Sequence, residues 1–208
     1  MQIYQTFNGG MLKLFPSLRG EALPMTEAMI QVYTGNQQKF TVQQQPQYIY
    51  SPRELSRWVL GIYEAIAQMD TGLSKEELCR IWTHEGLRLF CDRLVEEDDR
   101  KWFHNMIDDV ARKWFAGVDF DIALKRPLFY STWLSKETRK VEREELKEFL
   151  AARLRVYYEE MLDVKLVVFD EVLEHVLRID RVLRQPMGHL LLCGDAGAGK
   201  TVLTKFVR

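Results

Sequence analysis

Apolar residues recur every three to four positions over most of the first 160 residues, and this periodicity predicts a chain built mainly of helices. Met25, Met29, Val32 and Tyr33 share one face of a helix around 25–33. The polar tract TVQQQPQ, Thr41 to Gln47, follows and reads as a linker between two packed units, with Pro46 holding Gln45 extended. The string SPRELSRWVLGIYEAI then carries a complete helix-start signal: Ser51 at the N-cap, Pro52 at the first helical position and Glu54 placed to close a capping box. Leu55, Trp58, Val59 and Ile62 form its apolar face. A second Ser-capped helix begins at Ser74 with Glu77 three residues on, and carries Leu78, Ile81, Trp82, Leu87, Leu89, Phe90 and Leu94. A third spans about 100–115, with Trp102, Phe103, Met106, Ile107, Val110, Trp114 and Phe115. The tryptophans gather between Trp58 and Trp133, and aromatic residues at helical spacing are expected to be core.

Beyond Pro127 the pattern changes. The run LFYSTWL fits a short strand or an extended docking segment, and a long charged helix follows over about 142–161, its polar face solvated. The apolar string LVVF, a helix over about 170–184 and the break QPMG lead to Leu190–Cys193, a short apolar strand that runs straight into GDAGAGKT and a second helix-forming stretch. The expected fold is therefore mainly α, with an α/β start at the C-terminus.

Composition narrows the partners. With 29 basic and 30 acidic residues the chain carries almost no net charge, so electrostatics gives no case for nucleic acid or an anionic membrane. No segment reaches the roughly 20 apolar residues of a membrane span, and the N-terminus lacks the basic and apolar regions of a signal peptide. Cys79, Cys91 and Cys193 are scattered and odd in number, which fits reduced thiols rather than a disulfide framework or a zinc site.

The chemistry sits in GDAGAGKT. Gly194, Gly199, Lys200 and Thr201 match the phosphate-loop pattern in its expected context, between an apolar strand and a helix. Glycines let the backbone turn its N–H groups inward, where they and the positive end of the next helix hold phosphate. Lys200 is expected to reach the outer phosphates and Thr201 to give its hydroxyl to magnesium. Asp195 introduces a carboxylate beside the phosphates. Cleavage requires a second acidic site at the end of another strand, to hold magnesium and orient water. LVVFDE, Leu166 to Glu171, has the composition of such an element but precedes the loop, so Asp170 reads either as the cap of the following helix, with Glu171 in its first turn, or as a catalytic carboxylate.

Taken together, YIYSPRELSRWVLGIYEAI, LRIDRVLRQPMGHLLL and GDAGAGKT closely resemble the cytoplasmic dynein heavy chains, motors built on a ring of AAA+ modules. The resemblance runs from QIYQTFNGGMLKLFPSLRG to the last residue. It implies that 1–40 is the tail of the large subdomain of the third module, 47–126 its helical small subdomain, 127–163 a connecting segment and long helix, and 164–208 the truncated start of the fourth module. It implies ATP and Mg2+ as cofactors, with Gly194, Gly197, Ala198, Gly199, Lys200, Thr201 and Val202 at the nucleotide and Thr201 at the metal. Arg53 stands where a sensor arginine reaches the γ-phosphate of its own module; the alternatives are Arg57 one turn on, or an Arg53 that merely pairs with a neighbouring carboxylate. The implied parent is a minus-end-directed microtubule motor of the cytoplasm and cytoskeleton. Its partners are the other AAA+ modules of the heavy chain, the intermediate and light intermediate chains, and microtubules.

Two other readings remain open. One is a non-catalytic helical piece, truncated or from a partial gene model, that binds nucleotide weakly or not at all. The other is a different P-loop ATPase. On either of the first two readings the 208 residues alone lack the acidic strand, and they are expected to show no magnesium-dependent ATP turnover in a steady-state phosphate-release assay. Turnover that disappears in Lys200→Ala would refute this.

Overall fold

Residues 1–67, 69, 72–126, 128–131, 133–134, 139–161, 169–185 and 188–207 are described by the structure, a computed structural model. The chain divides into two compact units, Met1–Leu128 and Phe129–Arg208. Cys79, Cys91 and Cys193 form no disulfide.

The first unit is helical. Helices α1 (Gln2–Leu12) and α2 (Ala22–Lys39) are joined by a 3-10 turn, Pro16–Glu21. They lock through a buried polar contact: the Asn8 amide donates to Thr26 Oγ1 at 2.9 Å, and Thr26 donates in turn to its own helix at Ala22 O. The polar tract 41–47 does not separate packed units. It turns on itself inside the first, with Gln44 N–H donating to Thr41 O and Tyr48 N–H to Gln45 O. The Phe40 and Tyr48 rings that flank it meet edge to face at 5.4 Å.

Helix α3 (Pro52–Ile66) starts as the sequence predicts. The Ser51 N–H donates to Glu54 Oε2 at 2.8 Å, Ser51 Oγ accepts from Arg53 N–H, and the capping box is complete. A reciprocal cap of this kind satisfies backbone donors that the first turn leaves without partners. Helix α4 (Lys75–Gly86) is capped by Ser74 Oγ, which accepts from the Glu77 N–H at 3.1 Å. It runs on into a π-turn, Leu87–Cys91, closed by Asp92 N–H on Leu87 O. Helix α5 (Glu97–Trp114) and the short α6 (Phe120–Ala123) complete the unit.

The predicted apolar faces converge. Leu55, Trp58, Val59 and Ile62 from α3, Leu78, Ile81 and Trp82 from α4, and Phe103, Ile107 and Val110 from α5 are all buried. Trp58 and Trp82 stack at 4.9 Å, and Phe90 meets Trp58 edge to face at 5.5 Å. Trp58, Trp82, Phe90, Phe103 and Phe115 of the expected aromatic stripe are core, whereas Trp102, Trp114 and Trp133 are only half-buried. The tightest point of the stripe is Gly86, where an added Cβ would lie 2.6 Å from Trp58 Cζ2 and 2.8 Å from Ile107 Cδ1.

In the second unit, β1 (Tyr130–Ser131) pairs antiparallel with β2 (Arg139–Lys140), Tyr130 facing Lys140 and Ser131 facing Arg139. The run LFYSTWL thus contributes a short strand. Helices α7 (Arg143–Met161), α8 (Asp170–Arg184) and α9 (Lys200–Val207) follow. Their shared core includes Phe129, Val141, Leu146, Leu150, Val172, Leu173, Val176 and Leu203. The strand expected at Leu190–Cys193 does not form: these residues lie in neither helix nor strand, and no strand pairs with them among the described residues. Leu192 turns toward the core, while Leu191 is 86% exposed. A continuous apolar run suits a strand covered on both faces, and the neighbours that would pair and cover it are not among the described residues. LVVF lies, apart from Phe169, outside the described residues.

The packing of the first unit generates two stability predictions. Gly86→Ala is expected to destabilise the chain by about 2 kcal/mol, because the new methyl meets a fully buried indole. At Gly35 the same methyl meets only Met106 at 3.9 Å, so Gly35→Ala should be neutral or stabilise by up to about 1 kcal/mol through helix propensity. Urea denaturation followed by tryptophan fluorescence separates the two.

A pH dependence follows from His104, on α5, whose Nε2 lies 3.8 Å from Cys91 Sγ. Burial first, and then the Arg126 cation, push its pKa down to about 4 from the ordinary 6.5. The unfolded chain therefore binds the extra proton across that interval, and stability must fall as pH drops from about 6.5 toward 4. Allowing for partial exposure, the loss is on the order of 1 kcal/mol between pH 7 and 5. His104→Gln should flatten that limb of the urea midpoint against pH.

Candidate functional site

The glycine-rich loop and the helix behind it form a cradle by purely local means. Gly197 and Gly199 sit at φ 85° and 75°, a region that side chains strain to enter. Ala198 N–H donates to Asp195 O at 3.3 Å, closing the turn, and α9 begins at once with Lys200. The Lys200 side chain folds back over this turn. Its ammonium donates to Gly194 O at 2.8 Å and Asp195 O at 2.6 Å. Leu203 N–H donates to Gly199 O at 2.9 Å, the first full turn of α9.

These residues fit a phosphate group. An ammonium has three donors, so Lys200 keeps one beyond its two carbonyl partners. Nothing lies within 4 Å of where a Gly197 Cβ would stand, so the mouth of the turn is open. The helix start adds free N–H groups and the positive end of a dipole. Thr201 is exposed at the first turn, where its hydroxyl can serve a divalent cation already carried by phosphates; Val202 is half-buried behind it. No cluster of three or more His, Cys, Asp or Glu residues suited to a metal occurs among the described residues.

The loop's placement depends on the second unit's core. Leu203 is buried in it, and Phe206 packs edge to face on Trp133 at 6.1 Å and on Tyr157 at 5.8 Å. The far end of α9 is thus anchored by aromatic rings, and its near end carries the loop.

Arg53 lies in the other unit, at the start of α3. It is exposed, as is Arg57 one turn on, and no carboxylate pairs with either among the described residues. What holds this helix start is something the sequence did not reveal. Glu54, the capping-box acid, is buried and receives Arg93 Nη2 at 3.4 Å. Arg93 also donates to Ile49 O at 2.7 Å and lies over the Tyr50 ring at 5.0 Å. Tyr48 OH accepts from Val95 N–H at 3.1 Å. The loop entering α3 is fastened to the loop leaving the π-turn, across more than 40 residues of sequence. No local pattern signals such a pairing.

The cap expected of Asp170 takes another form. Phe169 occupies the N-cap of α8, no side-chain cap hydrogen bond is made there, and the helix begins at residue 170. The first turn is supported instead by Val172 and Leu173 N–H groups donating to Phe169 O.

Comparison with known proteins gives consistent results for the two halves. A family model described as the dynein heavy chain ATPase lid domain matches residues 7–100, and one described as the P-loop containing dynein motor region D4 matches 164–207. The chain is 57% identical over 206 residues to a cytoplasmic dynein heavy chain of Drosophila melanogaster, covering 99% of this chain and 4% of that protein. It is 56% identical over 207 residues to one of Caenorhabditis elegans, covering 99% and 4%, and 55% identical over 206 residues to one of Dictyostelium discoideum, also covering 99% and 4%. The chain thus spans only a small part of the length of these relatives.

Proposed function

This chain belongs to the cytoplasmic dynein heavy chain family, and on that basis we propose that it serves a microtubule motor by contributing nucleotide-contacting elements to two successive AAA+ modules. The loop of Gly194–Thr201, with Val202 behind it, opens the later module and binds the phosphates of ATP; Lys200 contacts the outer phosphates and Thr201 the magnesium ion. The helical stretch before it is the lid of the earlier module, and Arg53, or Arg57 beside it, projects toward the nucleotide of that module. The observation that carries the reading is the Lys200 ammonium folded over Gly194 O and Asp195 O at the start of a helix. It holds a cation where an incoming phosphate meets free N–H groups.

The arginine assignment is supported by position and freedom. Both side chains stand in solvent on a helix whose start is clamped by Glu54 and Arg93. A bound magnesium nucleotide supplies the phosphoanhydride whose cleavage powers such motors; the residues present here bind and orient it. The setting is the cytoplasm and the microtubule cytoskeleton. The partners are the neighbouring AAA+ modules of the same heavy chain and, through the whole motor, intermediate and light intermediate chains and microtubules. Among the described residues no helix is long and apolar enough to cross a membrane.

Fluorescence anisotropy of a labelled ATP analogue tests the loop directly. The 208-residue chain should bind weakly, and Lys200→Ala should lower the affinity at least about tenfold, the scale of one charge-assisted contact to phosphate. Binding that survives Lys200→Ala unchanged would place the nucleotide elsewhere and overturn the reading.

A further inference from the structure

The loop carries a charge that its task does not call for. Within Gly194–Thr201 the single cation, Lys200, is matched by a single anion, Asp195, so the loop has no net charge. The Asp195 carboxylate is exposed, and no basic side chain pairs with it among the described residues. Only its backbone is committed: Asp195 O accepts from Lys200 Nζ at 2.6 Å and from Ala198 N–H. The carboxyl carbon is two bonds from its own Cα, which puts it within roughly 8 Å of the ammonium, inside the Debye length at physiological ionic strength. A phosphate that Lys200 contacts therefore feels both charges.

From this we infer that Asp195 is a specificity-determining residue of the loop, selecting the magnesium complex of a nucleotide over the metal-free form. The inference rests on the phosphate-binding reading of the same loop. A metal-free polyphosphate brings several negative charges beside an unpaired carboxylate, and Lys200 alone cannot offset both. Magnesium removes two of those charges before the ligand arrives. Thr201, exposed on the first turn of α9, offers the ion a hydroxyl. The ion thus both relieves the repulsion and gains a ligand. Because Lys200 is held by the carbonyl of residue 195 and not by its side chain, the carboxylate can be neutralised without disturbing the ammonium.

The test is a set of anisotropy titrations of labelled ATP at constant ionic strength, in excess magnesium and in EDTA, with the full chain, Asp195→Asn and Asp195→Glu. Asp195→Asn is expected to tighten metal-free binding about tenfold and the magnesium complex less than about threefold, as charge repulsion in a largely solvated loop predicts. Asp195→Glu keeps the charge and should keep the parent's magnesium preference. Equal gains in both conditions, or none in either, with binding still lost in Lys200→Ala, overturn the role of Asp195 and leave the loop reading intact. Absence of binding in every variant and condition overturns the phosphate-loop reading and this inference with it. Circular dichroism that matches the parent establishes that the exposed substitutions leave the fold unchanged.

Discussion

The indole of Trp58 is the constraint around which the first unit is arranged. It is fully buried between α3, α4 and α5, where leaving its one polar atom without a partner would cost free energy. Nε1–H donates to the carbonyl of Trp82 at 2.9 Å, so the ring is fixed in direction as well as in place. That bond brings the two indoles into a stack and presses Trp58 onto the backbone of α4 at Gly86, where no side chain fits. Immediately after this contact the helix widens into the π-turn Leu87–Cys91. The extra residue re-aims the chain beyond it, so that Phe90 reaches the Trp58 edge and Arg93 reaches the start of α3. The clamp on the arginine-bearing helix start is thus continuous with the packing of one tryptophan.

The second unit depends on its core in a comparable way. Leu203 and Phe206, on α9, are buried or half-buried against residues of α7, α8 and the segment around β1. Side chains near the end of an eight-residue helix therefore hold a loop at its beginning. An isolated helix of that length is marginal in water, and its stability must come from this packing rather than from propensity.

What was legible in the sequence was what the chain decides locally. Both Ser-x-x-Glu starts, most of the apolar faces of α3 to α5 and the glycine-rich turn before α9 rest on residues close together along the chain, and each is found where the pattern puts it. Helix α1 was not legible. QIYQTFNGGML has two adjacent glycines and a central asparagine, and it becomes a helix because Asn8 finds Thr26 and Tyr4 OH finds Pro52 O, partners 18 and 48 residues away. The same holds for Arg93 with Glu54 and for His104 with Cys91. The apolar run at Leu190–Cys193 shows the opposite failure: its composition is that of a buried strand, but a strand is defined by its neighbours, and composition cannot supply them.

The glycine-rich cradle escapes that dependence because its parts do not need a sheet. Two positive-φ glycines, one closing hydrogen bond and a lysine that reaches back six and five residues define it. The lysine is held by backbone carbonyls, which every residue type possesses, so the side chain at position 195 is free to vary without unmaking the cradle. Yet that side chain stands close enough to alter the electrostatics of whatever the cradle holds. The backbone geometry and the charge of the loop are therefore separable properties, the first set by Gly197, Gly199 and Lys200, the second by Lys200 against Asp195. On the proposed phosphate-binding reading, one exposed carboxylate then tunes affinity while the backbone that receives the ligand stays unchanged.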